Sequence, residues 1–200
     1  MPPEFLWAEH KPLANAQAGD CLILGKALGV GLYRSAYVER RLLTHDQILL
    51  HEDRAQGADS ARLLACLDGV HAILPLDGRG FLGAIFSLCQ QSGLRASLRL
   101  DHMPLLPSAL ALAESGVATD AWHWPENAAH CWYAPDGQPL PQGWQGVLSA
   151  PEAGGGLLVS CSPESLTEVL SLFLQQDFKH AALIGSLKPR SRHRQQIVLH

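Results

Sequence analysis

The sequence predicts an α/β domain with helices layered on a mixed sheet. Short apolar runs of strand length alternate with longer stretches of helical spacing. A strand–helix–strand order recurs twice, over residues 70–100 and 156–187. The chain has 200 residues, 47% of them hydrophobic, enough for one domain with a substantial core. No internal repeat or low-complexity stretch divides it, so the expected organisation is a lead-in over 1–18 and one domain over 19–200.

The elements follow in order. Pro2, Pro3 and Pro12 mark the lead-in as irregular. Asp20-Cys21-Leu22-Ile23-Leu24 suits a buried strand, and Gly29-Val30-Gly31 follows it. Residues 32–67 carry two helix-like stretches, separated by polar residues around 50–57. In the second, Ala58, Ala61, Leu64, Ala65 and Leu67 recur at helical spacing. Val70 to Leu74 reads as a strand, and the turn Asp77-Gly78-Arg79-Gly80 opens a helix that stops at Gly93. That helix places Phe81, Ile85, Leu88 and Cys89 at intervals of three and four. From Arg95 to Leu100 polar and apolar residues alternate, as in a half-buried strand.

Pro107 stands where a helix can begin, and Ala109 to Ala113 carries it toward Gly116. Residues 117–145 are the least regular part, with several tryptophans and the turn signal Asp136-Gly137. Gly146 to Ser149 reads as a short strand. Ala153-Gly154-Gly155-Gly156 is a tight loop, and Leu157 to Cys161 a strand. Ser162 is placed to cap a helix, with Pro163 first inside it and the stripe Leu166, Val169, Leu170 and Phe173 behind. Ala181 to Leu187 is a last buried strand, and Gln196 to Leu199 suits an edge strand.

Composition excludes several classes. Fifteen Lys and Arg oppose nineteen Asp and Glu for a formal charge of −4, which argues against a nucleic-acid binder or a partner of acidic membranes. No apolar run approaches the roughly 20 residues that span a bilayer. The start Met1-Pro2-Pro3-Glu4-Phe5 lacks the basic leader and apolar centre of a signal peptide. Five scattered cysteines fit no disulfide framework or Cys-x-x-Cys pair, and read as buried thiols in a cytoplasmic chain. His123 and His130 lie seven apart among tryptophans, without metal-ligand spacing, so no metal site is expected.

Two turns carry candidate chemistry. Gly154, Gly155 and Gly156 offer backbone N–H groups as an anion nest, although the loop precedes a strand and has no lysine. Asp77, Gly78, Arg79 and Gly80 precede a helix whose N-terminus can hold an anion beside Arg79. On the residues alone a plain turn is the commoner reading of each. Gly29-Val30-Gly31 is a weaker signal, and the basic tail Lys188, Arg190, Arg192 and Arg194 reads as a solvated loop or an anion or partner contact.

These segments carry a family resemblance. Gly19-Asp20-Cys21-Leu22-Ile23-Leu24-Gly25-Lys26-Ala27-Leu28-Gly29-Val30-Gly31 resembles the run that opens the C-terminal domain of selenide, water dikinase (selenophosphate synthetase). Gly80-Phe81-Leu82-Gly83, Met103-Pro104-Leu105-Leu106-Pro107-Ser108-Ala109-Leu110 and Ala150-Pro151-Glu152-Ala153-Gly154-Gly155-Gly156-Leu157-Leu158 resemble three further motifs of that family, in the same order. Aminoimidazole ribonucleotide synthase, the hydrogenase-maturation dehydratase and thiamine-phosphate kinase share the architecture.

The resemblance implies a layered, partly ferredoxin-like C-terminal domain of an ATP-dependent phosphotransferase that converts selenide and ATP to selenophosphate with magnesium. It implies that the reacting groups lie in an N-terminal ATP-binding domain, of the same or another chain, within a homodimer. Residues 13–18 resemble the linker into this domain. Asp77, Gly78, Arg79, Gly80, Glu152, Gly154, Gly155 and Gly156 would line the nucleotide, with no catalytic residue and no metal ligand among them. The departures are polar. Pro75 and Ala150 stand where the family has Asp, Ala84 where it has His, and Asp77, Glu152, Ala153 and Gly154 where it has Thr, Gln, Thr and Ser. The expected function is a domain of such an enzyme that is not catalytic alone. The alternatives are a nucleotide-, anion- or partner-binding module of that descent, or a remnant that folds and dimerises a larger chain.

Overall fold

The computed structural model describes residues 11–52, 57–117, 140–152, 154–190 and 196–200. Six strands form one sheet: β1 Cys21–Leu24, β2 Val70–Pro75, β3 Leu94–Leu98, β4 Leu157–Cys161, β5 Ala182–Pro189 and β6 Ile197–Leu199. Among the described residues seven helices accompany them: α1 Val30–Val38, α2 Thr44–Glu52, α3 Gly57–Ala65, α4 Gly80–Ser92, α5 Ala109–Glu114, α6 Gln142–Ser149 and α7 Leu166–Gln175.

The strand order is β2-β4-β1-β5-β3-β6. Four neighbouring pairs are antiparallel, and β3 with β6 is parallel. So β1, β2 and β3 run one way, and β4 and β5 the other. The two strand–helix–strand units therefore join parallel strands that are not neighbours. α4 leads from β2 to β3 across the sheet, and α7 leads from β4 to β5 with β1 between them. This split wiring is the mixed sheet the sequence predicts and the partly ferredoxin-like arrangement the family resemblance implies.

Side-chain alternation along the strands divides the core into two layers. Leu22, Leu24, Ala96, Leu98, Leu158 and Leu187 face the helices α1, α4, α5 and α6, packing on Tyr33, Phe81, Ile85 and Val147. Ile23, Val70, Ile73, Val159 and Cys161 face the other way, against Ala61 and Leu64 of α3 and Val169 and Phe173 of α7.

α4 matches its expected bounds. It begins at Gly80 and ends where Gly93 takes a left-handed conformation, φ +70°. β6 lies at the sheet edge beside β3 as expected. Three readings are corrected. Residues 146–149 are not a strand but the last half of α6. Pro141 precedes the first turn, Gly143 and Val147 share the buried face, and the Ser149 hydroxyl donates to the Gln145 carbonyl four residues back, 2.7 Å. A four-residue apolar run has no period of its own, and the turn upstream decides it. The first helix-like stretch between 32 and 67 is broken at Arg40, φ +57°, so the region holds three helices and not two. Ser162 makes no side-chain cap bond; a 3-10 turn, Pro163–Ser165, comes before α7, and the Ser162 hydroxyl turns to that of Ser165, 3.3 Å. The tryptophan-rich segment 122–144 lies mostly outside the described residues.

Candidate functional site

β1 and β2 end, and β4 begins, at the same edge of the sheet. The loops there are the glycine-rich segments. The Gly25 N–H donates to the Leu157 carbonyl and the Leu76 N–H to the Gly156 carbonyl, each at 2.8 Å. The Glu152 N–H donates to the Asp77 carbonyl, 3.0 Å. Leu28 donates to Pro104, and Leu106 to Leu28, each at 2.9 Å. With the Gly80 N–H donating to the Asp77 carbonyl, 3.0 Å, residues from all four segments that carry the family resemblance meet in one backbone-bonded cluster.

Its glycines are fitted to backbone. A β-carbon on Gly57 would sit 2.5 Å from the Gly155 carbonyl oxygen, and one on Gly29 2.6 Å from the Ala109 β-carbon. One on Gly31 would strike the Pro151 carbonyl, and one on Gly80 the Ala150 carbonyl. Gly80 and Gly155 also have φ of +68° and +72°, a region L side chains rarely adopt. Gly29-Val30-Gly31, the weakest of the three sequence signals, is as tightly fitted as the other two.

The charged side chains brace these loops. The Glu152 carboxylate is buried, and its Oε1 accepts the Gly29 N–H at 2.7 Å, a contact between residues 123 apart in sequence. Lys26 reaches across the mouth of the cluster and donates from Nζ to the Gly154 carbonyl, 3.1 Å. Asp77 accepts the Arg79 N–H through Oδ1, 2.9 Å, and its Oδ2 accepts Arg79 Nη2 at 2.9 Å. Arg79 therefore folds back on Asp77, and Asp77 holds the turn rather than capping α4 by its side chain. The Gly154 N–H is also spent, on the Glu152 carbonyl, 2.8 Å. Gly78 has open space where a β-carbon would stand.

The structure thus brings together all the predicted positions it describes: Asp77, Gly78, Arg79, Gly80, Glu152, Gly154, Gly155 and Gly156. Sequence reasoning missed Lys26 and Gly57 as members. Lys26 lies within a quoted motif, but only folding shows that it crosses to Gly154. Asp20, in the same motif, sits at the other end of β1. Its carboxylate accepts the Ser160 hydroxyl at 2.5 Å, the Gln17 N–H at 2.9 Å and His71 Nδ1 at 2.9 Å, and so anchors the strand and not the loops.

Asp77 is engaged by Arg79 and Glu152 by Gly29, and no three His, Cys, Asp or Glu side chains converge among the described residues. What the cluster shows is closely packed backbone: a side chain at Gly29, Gly31, Gly57 or Gly80 would strike a neighbouring segment of the protein.

The family described as AIR synthase related protein, C-terminal domain, matches residues 17–197. The selenide, water dikinase of Dechloromonas aromatica is 40% identical over 185 residues, 90% of this chain and 51% of that protein. The chain therefore spans about half the length of the curated relatives it matches. Among solved structures, the hydrogenase maturation protein HypE of E. coli superposes with a TM-score of 0.68 at 17% identity, covering 95% of this chain and 49% of that one. A HypE structure in complex with ATP superposes at 0.67 and 15%, over 94% of this chain and 49% of the other. The likeness to these structures is one of fold.

Proposed function

The chain belongs to the AIR synthase related protein family as its C-terminal domain, and from that premise we propose that it serves as this domain in an ATP-dependent phosphotransferase of the selenide, water dikinase kind. Its part is to form one wall of the nucleotide site. Gly78, Gly80, Gly154, Gly155 and Gly156 shape the backbone of that wall, while Asp77, Arg79, Lys26 and Glu152 hold its loops in place. ATP is the phosphate donor and selenide the acceptor. Carboxylates for magnesium, and the reacting groups, come from an N-terminal domain, and the assembly is a homodimer.

The observation that carries this reading is the convergence of four separated motifs on one glycine rim, in a chain 40% identical to a named dikinase. The polar departures fit the same role. Pro75 and buried Ala150 have no carboxylate to give, whereas the glycines that shape the rim remain. Phosphoryl transfer rests on positioning and on charges that stabilise the transferring group, and a wall supplies the first without the second.

The test is a chimera in which this chain replaces the matching half of the Dechloromonas aromatica enzyme. Selenide-dependent ATP turnover by the chimera is expected, with a further Gly155→Val change lowering it. A folded chimera without turnover, beside an active parent, overturns the proposal.

A further inference from the structure

The sheet face lined by Val159 and Cys161 changes character beyond β1. Helices α3 and α7 cover its β2–β4–β1 part with the cluster around Ile23, Val169 and Phe173. Cys21 packs against that cluster and pairs with Ser186 on β5, so Ser186 and Lys188 continue the same face. On β3, Ser97 pairs with Ser186 and Arg95 with Lys188. Two cations thus stand directly opposite each other across an antiparallel pair, an arrangement that is unfavourable by itself.

No ion pair among the described residues relieves it. Arg99, two residues along, is paired with Asp101 at 2.8 Å, but no carboxylate pairs with Arg95 or Lys188 among the described residues. Arg95 Nε is buried without a hydrogen-bond partner, and so is Gln196 Nε2. Gln196 stands beside Arg95, because its carbonyl accepts the Ala96 N–H at 2.9 Å, one step before the Ala96–Ile197 pair. Buried donors are ordinarily satisfied, and two orphans beside two unpaired cations call for an acceptor with negative charge.

We infer that Arg95, Lys188 and Gln196 form a binding site for a doubly charged oxyanion, a phosphate or phosphate monoester, at the β3–β5–β6 margin of the sheet. Two cations match a dianion better than a single carboxylate. The guanidinium fork takes two oxygens, the amide N–H of Gln196 a third, and the ammonium of Lys188 adds charge. The site lies apart from the glycine rim and rests on none of its residues.

The experiment is titration of the full 200-residue chain with inorganic phosphate, and separately with glycerol 3-phosphate, followed by amide NMR. Saturable shifts at Ala96, Lys188 and Ile197 are expected. Tighter binding of the monoester assigns the site to an organic phosphate, and equal or weaker binding to the free ion. Arg95→Gln and Lys188→Gln should each weaken binding about tenfold or more, and Arg99→Gln should leave it unchanged. Lys188 is exposed, so that variant remains decisive if Arg95→Gln fails to fold. Absence of saturable shifts at these amides, or full affinity in both variants, overturns the inference. Shifts confined to Gly154–Gly156 also overturn it, while leaving the reading of the rim intact.

Discussion

Glu152 ties two loops together through the hydrogen bond that its carboxylate accepts from Gly29, and its removal has a definite cost. Glu152→Ala leaves the buried Gly29 N–H without its acceptor, which should lower stability by about 1–3 kcal/mol in urea unfolding. Glu152→Gln keeps an oxygen in place and should cost less. Gly155→Val forces a branched side chain into φ +72° and should cost about 1–3 kcal/mol, whereas Gly78→Ala, facing open space, should leave the melting temperature unchanged. Cys161 gives a pH signature. Burial, then the charges of Cys21 and Asp20, push its thiol from the ordinary 9.0 up to about 12. The folded state keeps its proton where the unfolded state loses it, so this contribution is complete below pH 9.0 and is lost as pH rises toward about 12. Urea midpoints that fall across this window in the native chain, but less in Cys161→Ala, are the expected result. At this scale the glycines were legible, since only turns and close approaches favour them so densely. The partners of Glu152 and Lys26 were not, because no local pattern links positions more than a hundred residues apart.

Elements were read well where their own residues supplied both period and punctuation. α4 had an apolar stripe and a closing Gly93, and its bounds were legible almost to the residue. α6 was misread because the four residues Gly146–Ser149 fit either period, and its opening turn lies in a stretch without pattern. The packing explains the glycine within it. A β-carbon on Gly146 would come 2.7 Å from that of Ala113, so α5 and α6 touch at their smallest residues. Gly146→Leu should push these helices apart and cost about 1–3 kcal/mol, read as a lower urea midpoint. A midpoint equal to that of the native chain would mean that the two helices do not pack this closely. Sheet order was beyond local reading as well. The recurrence of strand–helix–strand predicted a mixed sheet under helices, but only the fold shows that β1 and its neighbours lie between the strands so joined.

For the molecule as a whole, two apolar layers on a six-stranded sheet hold a glycine rim at one edge and a cationic margin on β3 and β5. The rim is backbone, and the charged groups around it are spent on holding it. On the proposed function such a surface positions a ligand and moves no phosphate, because the charge that stabilises a transferring phosphoryl group must come from cations and metal ions with ligands of their own. Relatives of twice the length have room for those groups in their other half. The most direct test is ATP turnover with magnesium by the purified 200-residue chain, with and without selenide. The expected result is a rate indistinguishable from that of buffer. Turnover that disappears in Asp77→Ala or Glu152→Ala would contradict it and make the rim itself a catalyst.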